Sequence, residues 1–437
     1  MMKLSFVKRF VLILLLLILI VLLFVSLVMP VMFTLIIVNF FLLYVMVLFL
    51  LIHLDKGDFG KARKPTRFPK VTILVPVYNS MGTIENCVKS IKDIVYPGKL
   101  DFVFVDDGST DGSRQFLEKQ KGIKLIKLKQ NSGKATALNT ALKMIKTEFV
   151  ACMDSDTYPE KNVLMKTLGY FDDVKVGAVT CLILPDKKGS LLQRIQFFEY
   201  ASSFGLWCTI LSYIDSMTMI PGPMTIFRRM VFDKVGYYDK DNLTEDMDMG
   251  LRVQKGGFKI RVCYEAVALT DIPDTWKKLF KQRDRWYRGR IFNLMTHNEL
   301  FFTKKNLSLG FFSLPYLFSL ELISMVLLVR LAILFFNNFT TSFVSEVIAF
   351  SASNSIFIGV PRFFITSTAV FFFFSYFFVF LYIYFSLKTV KYKPSFSDIL
   401  VILINILLYP FFITLVYGQG FFKELFGVRA KWVRVST

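Results

Sequence analysis

The chain has 437 residues, of which 54% are hydrophobic and 16% aromatic, and its formal net charge is +20. Soluble domains are typically about 45–50% apolar, so this composition favours a membrane protein over an ordinary soluble enzyme. A net positive charge would suit a nucleic-acid partner, but the distribution of this charge argues against one. The basic residues crowd the ends of the apolar stretches, as in the cytoplasmic flanks of membrane spans.

The chain begins with two apolar runs, residues 10–29 and 31–53, which are separated by Pro30. Each run is close to the length of about 20 residues that crosses the hydrocarbon layer. The second run follows at once, which argues against a cleaved signal peptide. Residues 1–54 are therefore predicted to form a transmembrane hairpin, and its basic flanks place residue 55 onward in the cytoplasm.

The middle of the chain, residues 55–273, alternates short β-branched runs with helical patterns, which predicts an α/β sheet domain. The clearest strands are 71–77, 102–105 and 149–153, and helical patterns near 83–92, 112–119 and 133–146 separate them. Ligands of such sheets bind outside the carboxyl ends of the strands. Polar clusters follow these strands directly, so they are the candidates for a binding site.

The first polar cluster follows the first two predicted strands. Pro76 and Tyr78 lie at the end of one, and Asp106 and Asp107 at the end of the next. In a nucleotide site, Tyr78 would stack on the base and an aspartate would accept from the base N–H. The alternative is that these acids only cap a helix, which acidic residues at strand ends often do.

The second cluster is the triplet Asp154-Ser155-Asp156, directly after the strand 149–153. Two carboxylates one residue apart repel each other unless a cation lies between them. Oxygen ligands of this kind suit Mg²⁺ or Mn²⁺ bridging a diphosphate. The triplet is common by chance, so its position after a strand carries the argument.

The two histidines, His53 and His297, lie outside all the clusters, which argues against histidine catalysis.

The third cluster is Thr244-Glu245-Asp246, which leads a predicted helix to about Gln254. One interpretation makes a carboxylate the general base that deprotonates an acceptor hydroxyl. The other is structural: Thr244 caps the helix, and the acids in its first turn complement the dipole. Both can hold together, because a helix start also fixes a carboxylate rigidly.

The fourth cluster lies in an amphipathic segment, residues 274–307, that precedes the return to the membrane. Gln282, Arg285 and Trp286 are its distinctive residues. Arg285 suits a departing diphosphate, and Trp286 offers a flat apolar face to a sugar. A plain interfacial helix would also be rich in Trp and Arg, so that alternative stays open.

The last part of the chain, residues 308–437, is predicted to be a helical membrane bundle with a basic tail. Apolar runs at about 313–336, 363–387 and 396–417 are clear spans, whereas 341–360 is either an outer loop or a weak span. The lysines between the runs 363–387 and 396–417 indicate that the loop joining these two runs is inside, which would place the C-terminus outside. The tail residues Arg429, Lys431 and Arg434 indicate the reverse, so the side of the C-terminus stays open.

Taken in order, these motifs resemble the signature of membrane-embedded family 2 glycosyltransferases. The motifs are Val-Asp-Asp-Gly-Ser, Asn-Ser-Gly-Lys-Ala-Thr-Ala-Leu-Asn at 131–139, Asp-Ser-Asp, Thr-Glu-Asp and Gln-Arg-Asp-Arg-Trp. The family includes cellulose, chitin, hyaluronan and poly-N-acetylglucosamine synthases. The resemblance covers about residues 70–295, and the flanking apolar segments fit it as well.

The resemblance implies a GT-A, Rossmann-like cytoplasmic domain between transmembrane segments, and inverting transfer that gives a β-linkage. It assigns a role to each motif residue by position. The implied donor-binding residues are Pro76, Tyr78, Asp106, Asp107, Lys134, Asp154, Asp156, Gln282 and Arg285. Asp154 and Asp156 would also hold the metal, Asp246 would be the base beside Glu245, and Gly222, Pro223 and Trp286 would face the acceptor.

The expected function is processive polymerisation of a UDP-sugar, either UDP-N-acetylglucosamine or a pair of donors that contains N-acetylglucosamine, with export of the polysaccharide across the plasma membrane. The chain has no room for the extra regulatory domain of bacterial cellulose synthases, which favours an N-acetylglucosamine product. One alternative is single transfer of a sugar to a membrane lipid, since ceramide glucosyltransferase is similar in motif order. Another is a catalytically silent transporter or sugar-binding membrane protein, against which the intact motifs argue.

Overall fold

The computed structural model describes residues 6–353 and 367–428. It begins with the predicted hairpin of two apolar helices, α1 (Phe6–Val28) and α2 (Val31–Asp55). Pro30 ends the first helix and starts the second, because its ring removes a backbone donor and fixes φ in a conformation suited to a helix start.

The described strands of the middle domain form one mixed sheet of eight. They are β1 (Val71–Val77), β2 (Leu100–Asp106), β3 (Lys124–Lys127), β4 (Phe149–Met153), β5 (Thr157–Pro159), β6 (Val176–Pro185), β7 (Met224–Arg228) and β8 (Lys259–Thr270). Their order is β3-β2-β1-β4-β7-β6-β8-β5. β1 pairs in parallel with both β2 and β4, and β7 runs antiparallel between β4 and β6. The carboxyl ends of β1, β2 and β4 therefore meet at one edge of the sheet.

Helices cover this sheet and join its strands. They are α3 (Ile84–Lys92), α4 (Ser113–Glu118), α5 (Lys134–Leu142), α6 (Val163–Thr167), α7 (Leu191–Ser202), α8 (Cys208–Tyr213), α9 (Met230–Val235), α10 (Glu245–Lys255) and α11 (Trp276–Thr296). In α3 the buried residues Ile84, Cys87, Val88 and Ile91 recur at helical spacing, so one face packs on the sheet. Every residue of β1 is buried, as expected for a strand covered on both faces.

Four further α-helices lie in the described C-terminal residues, 314–353 and 367–428. They are α12 (Leu314–Ser353), α13 (Ser367–Thr389), α14 (Phe396–Leu407) and α15 (Tyr409–Leu425). By length and composition, four stretches among the described residues are able to cross a membrane: 11–28, 31–55, 308–345 and 396–425. The structure thus has apolar helices at both ends of the α/β domain, as the sequence predicts.

Two details differ from the sequence-based prediction. The ambiguous segment 341–360 continues α12 as far as Ser353, because no Gly or Pro interrupts it there; its remainder and the tail residues Arg429, Lys431 and Arg434 lie outside the described residues. The last predicted span, 396–417, is two helices, and Pro410 lies in the first turn of the second. A proline there cannot continue the preceding helix but fits the start of the next.

Helix α11 connects the α/β domain to the C-terminal apolar helices. Thr275 caps it by accepting a hydrogen bond from the Lys278 amide at 3.3 Å. Arg288 forms a buried ion pair with Glu424 of α15, with Nε and Oε1 2.5 Å apart. This ion pair holds α11, which carries the fourth polar cluster, against α15.

Candidate active site

A cavity of about 210 Å³ opens at the sheet edge where β1, β2 and β4 end. Helices α5, α10 and α11 bring further side chains to it. The predicted site residues that line it are Pro76, Tyr78, Asp107, Lys134, Asp154, Asp156, Gly222, Pro223, Glu245, Asp246, Gln282, Arg285 and Trp286. Four sequence clusters separated by up to about 200 residues therefore lie around one cavity.

Asp106 is the predicted donor-binding residue that the structure does not bring to this cavity. Its side chain is fully buried, and its Oδ2 lies 2.6 Å from Nη2 of Arg114. Its Oδ1 accepts a hydrogen bond from the Ser109 amide at 3.3 Å. Asp106 therefore holds the turn after β2, and it does not cap a helix, because α4 begins at Ser113 after the capping residue Gly112.

Asp107 lines the cavity and organises the loop on its far side. Its two carboxylate oxygens accept from the amides of Ser132 and Gly133, each at 2.8 Å. Burial raises the pKa of Asp107, and these two amides oppose part of that rise. The φ of Gly133 is 91°, a left-handed conformation that glycine adopts readily. The Asn-Ser-Gly-Lys segment is thereby fixed beside the strand end.

Lys134 lies between the second and third clusters. Its Nζ is 2.6 Å from Oδ1 of Asp154 and 3.1 Å from Oε1 of Glu245. Burial alone would lower the pKa of Lys134, but these two carboxylates outweigh it and raise the pKa. The backbone of Gly222 passes close to this group, since a Cβ there would lie 2.9 Å from the Nζ. One ammonium group thus ties the strand end to α10.

The residues around Asp154 and Asp156 fit a divalent cation that a substrate helps to hold. Among the described residues, no group of three or more His, Cys, Asp and Glu side chains is arranged as a metal site. Mg²⁺ is commonly bound through one or two carboxylates plus substrate phosphates, so it does not require such a group. The two carboxylates that line the cavity supply this donor set.

The carboxylates of Glu245 and Asp246 differ in their ionisation. Burial opposes the charge on Glu245, but the nearby Lys134 and Arg285 lower its pKa on balance. Burial and then the negative charge of Glu245 raise the pKa of Asp246 to about 6. Asp246 is thus poised to accept a proton near neutral pH, which is what a general base requires.

Helix α11 carries Gln282, Arg285 and Trp286 to the opposite side of the cavity. Arg285 donates from Nη1 to the Leu243 carbonyl at 3.0 Å, just before the Thr-Glu-Asp segment. Arg283 is fully buried behind this face and pairs with Glu199, with Nη2 and Oε2 2.5 Å apart. Its guanidinium lies 4.2 Å from the Trp286 ring centroid and donates to Gln282. Arg283 therefore contacts and supports two cavity-lining side chains, Gln282 and Trp286.

Sequence reasoning missed three polar residues that line the cavity: Tyr200, Thr270 and Asp271. Asp271 follows β8 directly, and its amide donates to the Asp156 carbonyl at 3.1 Å. Its position, an acid after a strand, is the signal that identified the other clusters, so it was available from the sequence. Tyr200 lies within α7, where no sequence signal separates it from a core aromatic residue.

The chain is similar to proteins of known class. Residues 72–236 match the model of the family "Glycosyl transferase family 2". Over 223 residues the chain is 31% identical to the poly-beta-1,6-N-acetyl-D-glucosamine synthase of Staphylococcus epidermidis, covering 50% of this chain and 54% of that protein. For the Staphylococcus aureus synthase the identity is 32% over 225 residues, with the same coverage. The chain thus matches about half the length of these curated relatives.

A solved structure supports the fold. A mannosyltransferase from Pyrobaculum calidifontis, in complex with GDP-Man and Mn²⁺, aligns with a TM-score of 0.52 at 19% identity, and the alignment covers 84% of this chain and 94% of that one. At this identity the likeness concerns the fold alone. The family match and this likeness confirm the GT-A-like α/β sheet expected from the motifs. The α/β domain therefore has a GT-A-like fold and contains the residues 72–236 that match family 2 glycosyltransferases, and it lies between apolar helices able to span a membrane.

Proposed function

We propose that this protein is an inverting, processive β-glycosyltransferase that polymerises UDP-N-acetylglucosamine and exports the polysaccharide. The observation that carries the proposal is the single cavity around which Asp154, Asp156, Asp246, Arg285 and Trp286 meet. These side chains provide, in one place, anionic oxygens for a metal, a base, a cation for a leaving group and an aromatic face. The similarity to synthases named for poly-N-acetylglucosamine favours the donor sugar.

The donor would lie with its nucleotide at the ends of β1 and β2. Tyr78 would stack on the uracil, Pro76 would shape the floor, and Asp107 would accept from the uracil N–H while it fixes the loop 131–133. Lys134 and Arg285 would face the diphosphate from two sides. Bound Mg²⁺ or Mn²⁺, held by Asp154 and Asp156, would neutralise the diphosphate charge.

In the reaction, an acceptor hydroxyl oxygen attacks the anomeric carbon from the face opposite UDP. The bond between that carbon and the β-phosphate oxygen breaks, and UDP leaves with the bonding electron pair. The hydroxyl proton passes to the Asp246 carboxylate, which the raised pKa suits to accept it. Arg285 and Lys134 stabilise the negative charge that develops on the diphosphate, because cations that are already fixed in place need no reorganisation as the reaction proceeds. Inversion at the anomeric carbon yields the β-linkage.

The acceptor is proposed to approach over Gly222 and Pro223 and to stack its terminal sugar on Trp286. The α/β domain would lie in the cytoplasm below the plasma membrane, because the basic flanks of the apolar helices favour that side. Donor from the cytoplasm and acceptor from the membrane side would then meet in the cavity.

Glu321 and Arg330 are polar residues within α12, where they would be costly in a membrane unless they line a watery path or contact other helices. Both of them contact another helix. Glu321 accepts from Nη1 of Arg290 in α11 at 2.9 Å. Arg330 donates to the carbonyls of Leu27 and Met29, at 3.2 and 3.1 Å, where α1 ends. These contacts stabilise the bundle and do not favour a channel. Polymer export therefore rests on the similarity to the synthases, and single transfer to a lipid is the second candidate.

Product analysis tests the proposal and separates the two candidates. Full-length protein in nanodiscs would be offered UDP-glucose, UDP-N-acetylglucosamine and UDP-galactose, with UDP release read for each. We expect the highest release with UDP-N-acetylglucosamine, and a ladder or high-mass product from the labelled sugar. A singly glycosylated lipid without a ladder would establish the second candidate, and no transfer from any UDP-sugar would overturn both.

A further inference from the structure

One face of α11 contacts the segment that leads into α10. Arg285, Gly289, Asn293 and His297 recur at every fourth position, so they lie in a row along the helix. Each of them touches a residue between 242 and 248. We call these four residues the α11 row. It begins at Arg285, in the cavity, and ends at the far end of the helix.

Asn293 makes the densest contacts of the α11 row. Its side chain is fully buried, and its Nδ2 donates to Oγ1 of Thr244 at 2.9 Å and to the Thr244 carbonyl at 3.1 Å. Its Oδ1 accepts from Nδ2 of Asn242 at 2.7 Å. Both ends of this amide therefore hold the segment before Glu245 and Asp246, through Asn242 and Thr244.

The neighbours of Asn293 in the α11 row make the same attachment rigid. A Cβ on Gly289 would lie 2.2 Å from Oγ1 of Thr244, so a larger residue at position 289 would clash with Thr244. His297 is buried and its Nε2 lies 2.9 Å from Oδ1 of Asp248 in α10. The contacts thus run on both sides of the carboxylate pair.

Thr244 shows why α10 needs this attachment. It precedes the first residue of α10, where a threonine hydroxyl usually accepts from an amide of the first turn. Here its side chain makes no such capping bond and accepts from Asn293 instead. The start of α10 is therefore fixed by α11 and not by its own cap.

We propose that Asn293 is a positioning residue, which sets the place of Asp246 relative to the donor-binding side chains of α11. The proposal rests on the proposed function, in which Asp246 is the base and Arg285 binds the leaving diphosphate. Both groups belong to parts of the chain that Asn293 joins, so their separation depends on it. A misplacement of a catalytic group by about 1 Å can lower the rate on the order of 100-fold. The contact of Asn293 with the segment before Asp246 should therefore affect turnover more than donor binding.

The test is the variant Asn293→Leu, which keeps the volume of the side chain and removes its hydrogen bonds. With UDP-N-acetylglucosamine as the probe, we expect kcat to fall about 10- to 100-fold while the KM for the donor stays within about twofold. The acidic midpoint of the kcat profile should also move to lower pH, because a looser segment admits water to Asp246.

The matched control is Asn306→Leu. Asn306 is also an amide that joins two elements, since its Nδ2 donates to the Asp215 carbonyl at 2.7 Å and to Oε1 of Gln254 at 3.2 Å. It lies outside the cavity lining, so its loss should lower the unfolding temperature without moving kcat or the pH midpoint. A general loss of stability would affect both variants alike.

A second pair of variants covers the case in which Asn293→Leu fails to fold. Thr244→Val removes one acceptor and should lower kcat, and Thr244→Ser keeps the hydroxyl and should restore it. Unchanged kcat and pH midpoint in Thr244→Val, or in a folded Asn293→Leu, would overturn the positioning role. A wild-type protein that releases no UDP would instead contradict the proposed function, so the two failures are distinguishable.

Discussion

The environment of Asp246 predicts the pH dependence of turnover. Burial and the charge of Glu245 raise its pKa from 3.8 to about 6, a difference worth about 3 kcal/mol between the two protonation states. As the proposed base, Asp246 works only when it is ionised, so kcat should rise with pH through a midpoint near 6. Below that midpoint kcat should fall about tenfold for each pH unit.

The variant Glu245→Gln changes that environment in a known direction. It removes the second cause of the raised pKa and leaves the Lys134 ammonium near Asp246, so the midpoint should move to lower pH. The shift is bounded by about 2 units, because the ordinary value is 3.8. The assay is UDP release at saturating donor between about pH 3.5 and 8, a range of about 4.5 units chosen to cover both values.

The control for this experiment is Glu299→Gln. Glu299 also pairs with a lysine, Lys255, with Oε1 and Nζ 2.6 Å apart, but it does not line the cavity. Its loss should leave the midpoint in place. An unchanged midpoint in Glu245→Gln, or the same acidic limb in Asp246→Asn, would refute the assignment of this ionisation to Asp246.

Three further predictions concern the metal, the acceptor and the support of the cavity. Transfer should require Mg²⁺ or Mn²⁺ and stop with chelator, and Asp156→Ala should weaken binding of the UDP-sugar in a filter assay; wild-type affinity would move the metal elsewhere. Trp286→Ala should shorten the polymer on gels more than it lowers donor hydrolysis, because it removes the proposed stacking face; equal losses would contradict that role. Arg283→Met should lower the unfolding temperature, since breaking a buried pair costs about 3–5 kcal/mol, and adding Glu199→Gln should recover part of the loss. No recovery in the double variant would mean that this pair is not the source.

The parts of the fold that follow local rules could be read from the sequence. β-branched runs predicted β1 and β4 with the bounds that the structure has, and the apolar runs predicted α1 and α2. The antiparallel strand β7 was not predicted, because the residues around Met224–Arg228 have no alternation and their place between β4 and β6 depends on distant pairing. The division of the last span at Pro410 was missed although the proline is a visible signal.

The site was predictable to the extent that polar residues follow strands. That rule identified Tyr78, Asp107 and Asp154, which line the cavity, and applied to β8 it would also have identified Asp271. It does not separate adjacent acids, since Asp106 and Asp107 look alike in the sequence and only the ion pair of Asp106 with Arg114 distinguishes them. Contacts between helices far apart in the chain, such as Asn293 with Thr244, leave no local signal.

The central claim is that Asp246 deprotonates the acceptor in transfer from a UDP-sugar. Its most direct test measures two quantities on purified full-length protein in nanodiscs: incorporation of labelled N-acetylglucosamine from its UDP donor, and binding of UDP. For Asp246→Asn we expect incorporation to fall by about 10²- to 10⁴-fold, the usual contribution of a general base, with UDP affinity close to wild type. Wild-type incorporation in Asp246→Asn would contradict the account.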